Sequence, residues 1–370
     1  MRNRAFNALL LRTLAVCACL MWWCAAPAFA AATVTNARVA SAMNPATFDT
    51  PPQEGQSKDK KKDKKDKPPT VPEAELNAAK AIEAAADVPA MLTAASAFFE
   101  KYPKSPLRPQ VAPLIADRIG QIADPAQRIA QSENYLKLFT APADAELVQQ
   151  HLLTAYTAAN RLDDAFALAA NVIDKSPDPV AAMINLTRGG LSEARNQNLK
   201  YVAPSRQMAL KAVALIESDK KPSTVTDATW NDYKTRWHGQ LYQWIAMLSL
   251  AAGDKADAKT RLNSAIGLNP RDPINYVLLV EMVNGEYQRL VQLHKAATPG
   301  AEKDALLKQA ETQLDEVIDA YAHAVALTEG DAQYDTMRVG LKADLESYYK
   351  YRHNNSTDGL QALIDKYKKP

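Results

Sequence analysis

The sequence predicts an all-α chain, an α-solenoid of stacked antiparallel helical hairpins preceded by a disordered N-terminal arm. Three observations carry that reading. From Glu73 onward alanine and leucine recur at helical spacing, and almost every interruption is Pro, Gly, Asn or Asp. The 370 residues include only 12 glycines, and no run alternates at period two, so strands are not expected. Residues 242–270 spell one complete unit: a helix from Tyr242, a tight turn at Gly253-Asp254, a second helix, and a stop at Pro270. A single core seldom grows beyond roughly 250–300 residues. Stacked hairpins avoid that limit, because each unit buries its face only against the next.

Residues 1–30 have the three regions of an export signal. Arg2, Arg4 and Arg12 give the positive start, Leu14 to Ala26 the apolar centre, and Ala28-Phe29-Ala30 the small-x-small cleavage pattern. The apolar stretch falls short of the ~20 residues a membrane-spanning helix needs. It predicts cleavage and an exported chain, periplasmic or secreted, that begins at Ala31. All three cysteines, Cys17, Cys19 and Cys24, lie in this segment, which excludes disulfides, thiolate metal sites and cysteine nucleophiles from the mature chain. Val16-Cys17-Ala18-Cys19 faintly resembles a lipid-attachment sequence, so lipoprotein anchoring is the alternative, although a cysteine two residues before Cys19 is unusual there.

Residues 31–72 have no helical period and are rich in Thr, Ser, Pro, Asn and Lys. Such a segment buries too little apolar surface to offset the entropy of ordering, and it reads as a tether. Its Lys58 to Lys67 run holds seven lysines and three aspartates. The run reads as a solvated spacer, with weak contact to anionic lipid or wall polymer as the sharper alternative. Formal charge is +2 for the whole chain, about −1 without the three signal arginines, and about −4 for everything after Lys67. A mildly acidic body argues against nucleic-acid partners, which are usually met by a basic face.

Residues 73–370 form the expected helical repeat domain. Its helices are predicted at 73–86, 89–101, 107–122, 126–139, 143–159, 163–175, 179–197, 203–218, 226–252, 254–268, 271–297, 301–328, 331–352 and 357–368. The loops between them are short, so neighbours should pack antiparallel as about seven hairpins.

The 242–270 unit resembles a tetratricopeptide repeat, a helix-turn-helix module of about 34 residues. With Tyr242 on the first large position, Ile245 and Ala246 fall on the adjacent large and small ones. Gly253 lies at the turn, Ala258 and Ala265 at the small positions of the second helix, and Pro270 at the terminator. Residues 149–177 match more loosely. Leu152, Leu153, Tyr156, Ala165 and Pro177 fit, while Asn160 stands at the turn and Val172 at the second small position. Phe98-Phe99-Glu100-Lys101-Tyr102-Pro103-Lys104-Ser105-Pro106 is similar to a helix junction common in exported bacterial envelope repeat proteins. Ala165 and Ala258 are 93 residues apart, not a multiple of 34, so the array is irregular between the two units.

The resemblance implies binding of a protein or peptide segment in a groove lined by first helices, and no catalysis. The groove positions would be Leu147, Gln150, Thr154, Thr157 and Ala158 in one unit, and Gln240, Gln243, Met247, Leu250 and Ala251 in the other. These are neutral, and the Lys and Asn set with which some relatives clamp a carboxylate is missing. Trp230, Tyr233 and Trp237 fall on one face of a helix and offer either core or a partner or sugar-stacking surface. That face supports the rival reading, an envelope carbohydrate-binding or carbohydrate-active helical protein. No cofactor or metal is expected. His151, His238, His294, His323 and His353 are scattered, phosphate loops are missing, and Asp163-Asp164 sits at a helix start where it complements the dipole.

Overall fold

The computed structural model describes residues 71–368. The expected export signal and almost all of the expected arm lie outside the described residues. Helices α1 (Glu73–Glu83), α2 (Val88–Lys101), α3 (Arg108–Gly120), α4 (Pro125–Leu138), α5 (Pro142–Ala158) and α6 (Leu162–Val172) come first. They are followed by α7 (Pro179–Arg195), α8 (Val202–Glu217), α9 (Asp227–Asp232), α10 (His238–Ala251), α11 (Lys255–Leu268), α12 (Pro273–Ala296), α13 (Ala301–Thr328), α14 (Asp335–Arg352) and α15 (Leu360–Lys366). Among the described residues there is no strand. Every expected helix is present, and the ends differ by a few residues, where short 3₁₀ turns such as Ile173–Lys175 and Ala332–Tyr334 replace a predicted last or first turn.

Local chemistry sets the boundaries. Asp87, Asp124, Asp178, Asp254 and Asp272 each accept a backbone N–H of the helix that follows, and Thr226 does the same for α9. Pro125, Pro142, Pro179 and Pro273 occupy first helical positions, where the missing N–H costs nothing.

The chain divides between Ser176 and Pro177 into two compact units. The first packs α1 to α5 around Ile82, Met91, Phe98, Val111, Ile115, Ile119, Tyr135 and Phe139. The Phe98–Pro106 junction works as an aromatic corner. Phe99 meets Phe139 edge-on at 5.4 Å, and the Arg108 guanidinium lies 4.6 Å from the centre of the Phe99 ring. In the α5–α6 hairpin Leu152, Leu153, Tyr156, Ala165 and Val172 are buried, and Asn160 turns the chain at φ +55°.

The second unit contains α7 to α15. Its α7 and α8 approach so closely at Gly190 that a Cβ there would lie 1.7 Å from Ser205 Oγ. In the α10–α11 hairpin Ile245, Ala246, Ala258 and Ala265 are completely buried, and Gly253 makes the turn at φ +79°. The longer hairpin of α12 and α13 joins α14 and α15 in one apolar cluster that includes Tyr276, Tyr287, Val317, Tyr321, Leu345 and Tyr348.

Candidate functional site

The spacing of Trp230, Tyr233 and Trp237 predicts one face of a single helix over 226–252. The backbone there is not uniformly α-helical. Between α9 and α10 lies a π-helical stretch, Tyr233–Trp237, closed by the His238 N–H donating to the Tyr233 carbonyl five residues back. A π turn takes in an extra residue and rotates everything after it. Trp230 and Tyr233 therefore stay in the core while Trp237 turns out of it.

The two buried aromatics are tied by hydrogen bonds. Trp230 meets Tyr233 edge-on at 6.2 Å and donates its indole N–H to Asp219 Oδ1 at 2.9 Å. The Tyr233 hydroxyl donates to Asp178 Oδ2 at 2.5 Å, linking the π-helical stretch to the capping residue of α7. Burial, reinforced by the Asp178 carboxylate, drives the Tyr233 phenol far above its ordinary pKa. Both rings are core side chains that hold the aromatic helix against α7 and the 218–226 loop, so neither is placed to meet a partner.

Trp237 and Trp244 lie two turns apart and stay half-buried, meeting edge-on at 5.8 Å. Trp237 donates its indole N–H to Asp232 Oδ2 at 3.0 Å. Beneath Trp244 and Met247 lies a small apolar floor of Leu191, Val202 and Leu248. The Arg188 guanidinium sits 5.6 Å from the Trp237 ring centre and 6.0 Å from that of Trp244, and Arg236 sits 5.3 Å from Trp237. Burial and the neighbouring Arg236 hold the Arg188 pKa below its ordinary value.

The groove positions divide in a similar way. In the first unit Leu147 and Thr154 are exposed. Gln150 donates its side-chain N–H to the Val172 carbonyl at 3.0 Å, tying α5 to α6. Thr154 and Thr157 donate to Gln150 and Leu153 carbonyls one turn back in their own helix. In the second unit Gln243 is 3% exposed and donates to Asp272 Oδ2 and Asn275 Oδ1, each at 2.9 Å. Gln240 donates in turn to Gln243. Burial raises the Asp272 pKa despite hydrogen bonds from the Ile274 N–H and Gln243. This polar chain joins α10 to α12 and satisfies buried groups, so Gln243 is structural. Met247 and Leu250 are half-buried, packed against the cluster of Ala246, Leu262 and Leu278.

Titratable groups elsewhere serve packing. His151 lies against Gly120 and His323 is stacked between Tyr276 and Tyr367, and burial lowers the pKa of both. Asp257 accepts from Ser249, Arg206 and Arg261; burial pushes its pKa up, but these bonds outweigh it and hold the carboxyl at about 2. Among the described residues no cluster of His, Cys, Asp or Glu could hold a metal ion, and no helix is long and apolar enough to cross a membrane.

No family model and no curated protein matches the chain. Among solved structures, it is similar to a tetratricopeptide repeat protein from Parabacteroides merdae ATCC 43184, at 15% identity and a TM-score of 0.29, over 75% of this chain and 98% of that one. The repeat reading rests on the hairpins themselves. Two of them, α5–α6 and α10–α11, combine a left-handed turn residue with buried small residues on the second helix, as tetratricopeptide-like units do.

Proposed function

We propose that this protein is a non-catalytic scaffold or adaptor of the cell envelope that holds a protein or peptide partner on its helical hairpins. The observation that carries the reading is the half-buried Trp237–Trp244 face, which runs from the π-helical stretch into α10 and, with Met247, covers a buried apolar floor. Aromatic side chains presented this way lose little entropy on binding, which favours a partner surface over a purely structural role. Export rests on the Arg2–Ala30 pattern and its Ala28-Phe29-Ala30 cleavage signal.

The carbohydrate reading is the weaker one. It needs Trp230, Tyr233 and Trp237 on one open face, and two of those rings are core. The exposed edges that remain, Trp237 and Trp244, stand at 69° to each other, which gives no flat platform for a sugar ring.

Affinity capture with the Ala31–Pro370 protein from envelope extract, at two salt concentrations, tests the proposal. A specific protein recovered at both salts supports it. Recovery of none at either salt sinks it. A version lacking residues 31–72 that still recovers the partner locates binding in the helical body.

A further inference from the structure

Arg188 and Arg236 reach the same indole from different elements, α7 and the π-helical stretch. Among the described residues neither guanidinium has an ion pair or a hydrogen bond, whereas most other arginines of this unit pair with a carboxylate. Asp232 accepts the Trp237 indole N–H at Oδ2 and forms no ion pair with either guanidinium. Two cations therefore share Trp237, beside the Trp244 ring that with Met247 covers Leu191 and Leu248. Packing of this kind leaves repulsion that an incoming anion would relieve, and planar guanidinium forks are suited to carboxylates. The half-buried Trp244 and Met247 add a second requirement: the ligand must carry a hydrophobic group next to its charge.

We infer that Arg188, Arg236, Trp237 and Trp244 form an anchor site for an acidic peptide segment, in which an Asp or Glu carboxylate bridges the two guanidiniums and an adjacent aliphatic side chain packs on the half-buried Trp244 and Met247. The inference rests on the peptide-binding reading above and names the chemistry of the partner for that same face. It differs from a terminal-carboxylate clamp, because its charges come from α7 and a π-helical turn and not from successive groove positions.

The test uses the Ala31–Pro370 protein on an array of 12-residue peptides of random sequence, with amidated termini. The peptides retained should be enriched in Asp or Glu next to Leu, Ile, Val or Phe. In Arg188→Gln/Arg236→Gln that enrichment should fall about tenfold or more, with the far-ultraviolet spectrum unchanged and the thermal unfolding midpoint moved by only a few degrees, since the variant loses cation–π contacts but no ion pair. Arg188→Lys should retain an intermediate share, since it keeps charge but not the planar fork. Peptides retained without acidic enrichment, or enrichment that survives the double variant, overturn this site while leaving peptide binding in place. An array that retains nothing overturns both. Oligouronates that bind wild type and not the double variant, with no acidic peptide retained, would reassign the anion to a sugar acid and also overturn the inference.

Discussion

Replacing Gly190 by alanine gives a test in which two known effects have opposite sign. At an exposed helix interior, Gly→Ala stabilises by about 1 kcal/mol through helix propensity. At Gly190 the new Cβ would lie 1.7 Å from Ser205 Oγ, 2.9 Å from Ser205 Cβ and 3.1 Å from the Tyr201 carbonyl oxygen. The hydroxyl can rotate away, but the Cβ and the carbonyl are fixed to packed backbone, so α7 and α8 must separate. Overpacking of this kind costs about 1–3 kcal/mol and here outweighs propensity, for a net loss of about 1–2 kcal/mol. Ser205 Oγ is buried without a hydrogen-bond partner, so removing the side chain forfeits no bond. Gly190→Ala/Ser205→Gly should therefore recover part of the loss even though a helical glycine is introduced. Urea unfolding of Ala31–Pro370, followed by tryptophan fluorescence, reads the second unit alone, because Trp230, Trp237 and Trp244 are the tryptophans that remain after Ala30. A Gly190→Ala protein more stable than wild type would refute the close α7–α8 contact, as would additive single and double effects.

Three further outcomes follow from the same geometry. Tyr233→Phe removes a hydroxyl bonded to the Asp178 carboxylate and should cost about 1–2 kcal/mol in urea unfolding, with the far-ultraviolet spectrum unchanged. Asp257 has a folded pKa depressed to about 2, so its contribution is present above the unfolded value near 4 and is lost as pH falls toward 2. Wild type should lose about 1–2 kcal/mol across that window, allowing for solvent screening, and Asp257→Asn should lose none of that share. Gly253→Ala, at φ +79° with no atom within 4 Å of the new Cβ, should cost about 1 kcal/mol of backbone strain alone, and Gly253→Asn only a few tenths. The difference would appear as a shift of about 2–4 °C in Tm.

Periodicity and turn chemistry make most of the fold legible in the sequence. Asn160 and Gly253 read as left-handed turns because few other residues tolerate that backbone, and both adopt it. Ala165, Ala258 and Ala265 read as close-contact positions and are fully buried. The site is less legible. An aromatic triplet at α-helical spacing predicts one face only if the helix is uniform, and the Tyr233–Trp237 π stretch breaks that condition without a Pro or Gly to announce it. Gln243 reads as a neutral groove residue, yet its amide bonds to Asp272 and Asn275, which lie 29 and 32 residues further along the chain. Arg188 carries no signal on its own. Its meaning comes from Arg236 and Trp237, brought to it by the packing of α7 beside the aromatic helix.

Hydrogen exchange on Ala31–Pro370 with and without its captured partner tests the central claim most directly. The account predicts added protection in α7 and in the 227–251 segment around Trp237 and Trp244, largely lost with Arg188→Gln/Arg236→Gln. Protection confined to other helices, or none on any helix of residues 71–368, would contradict it.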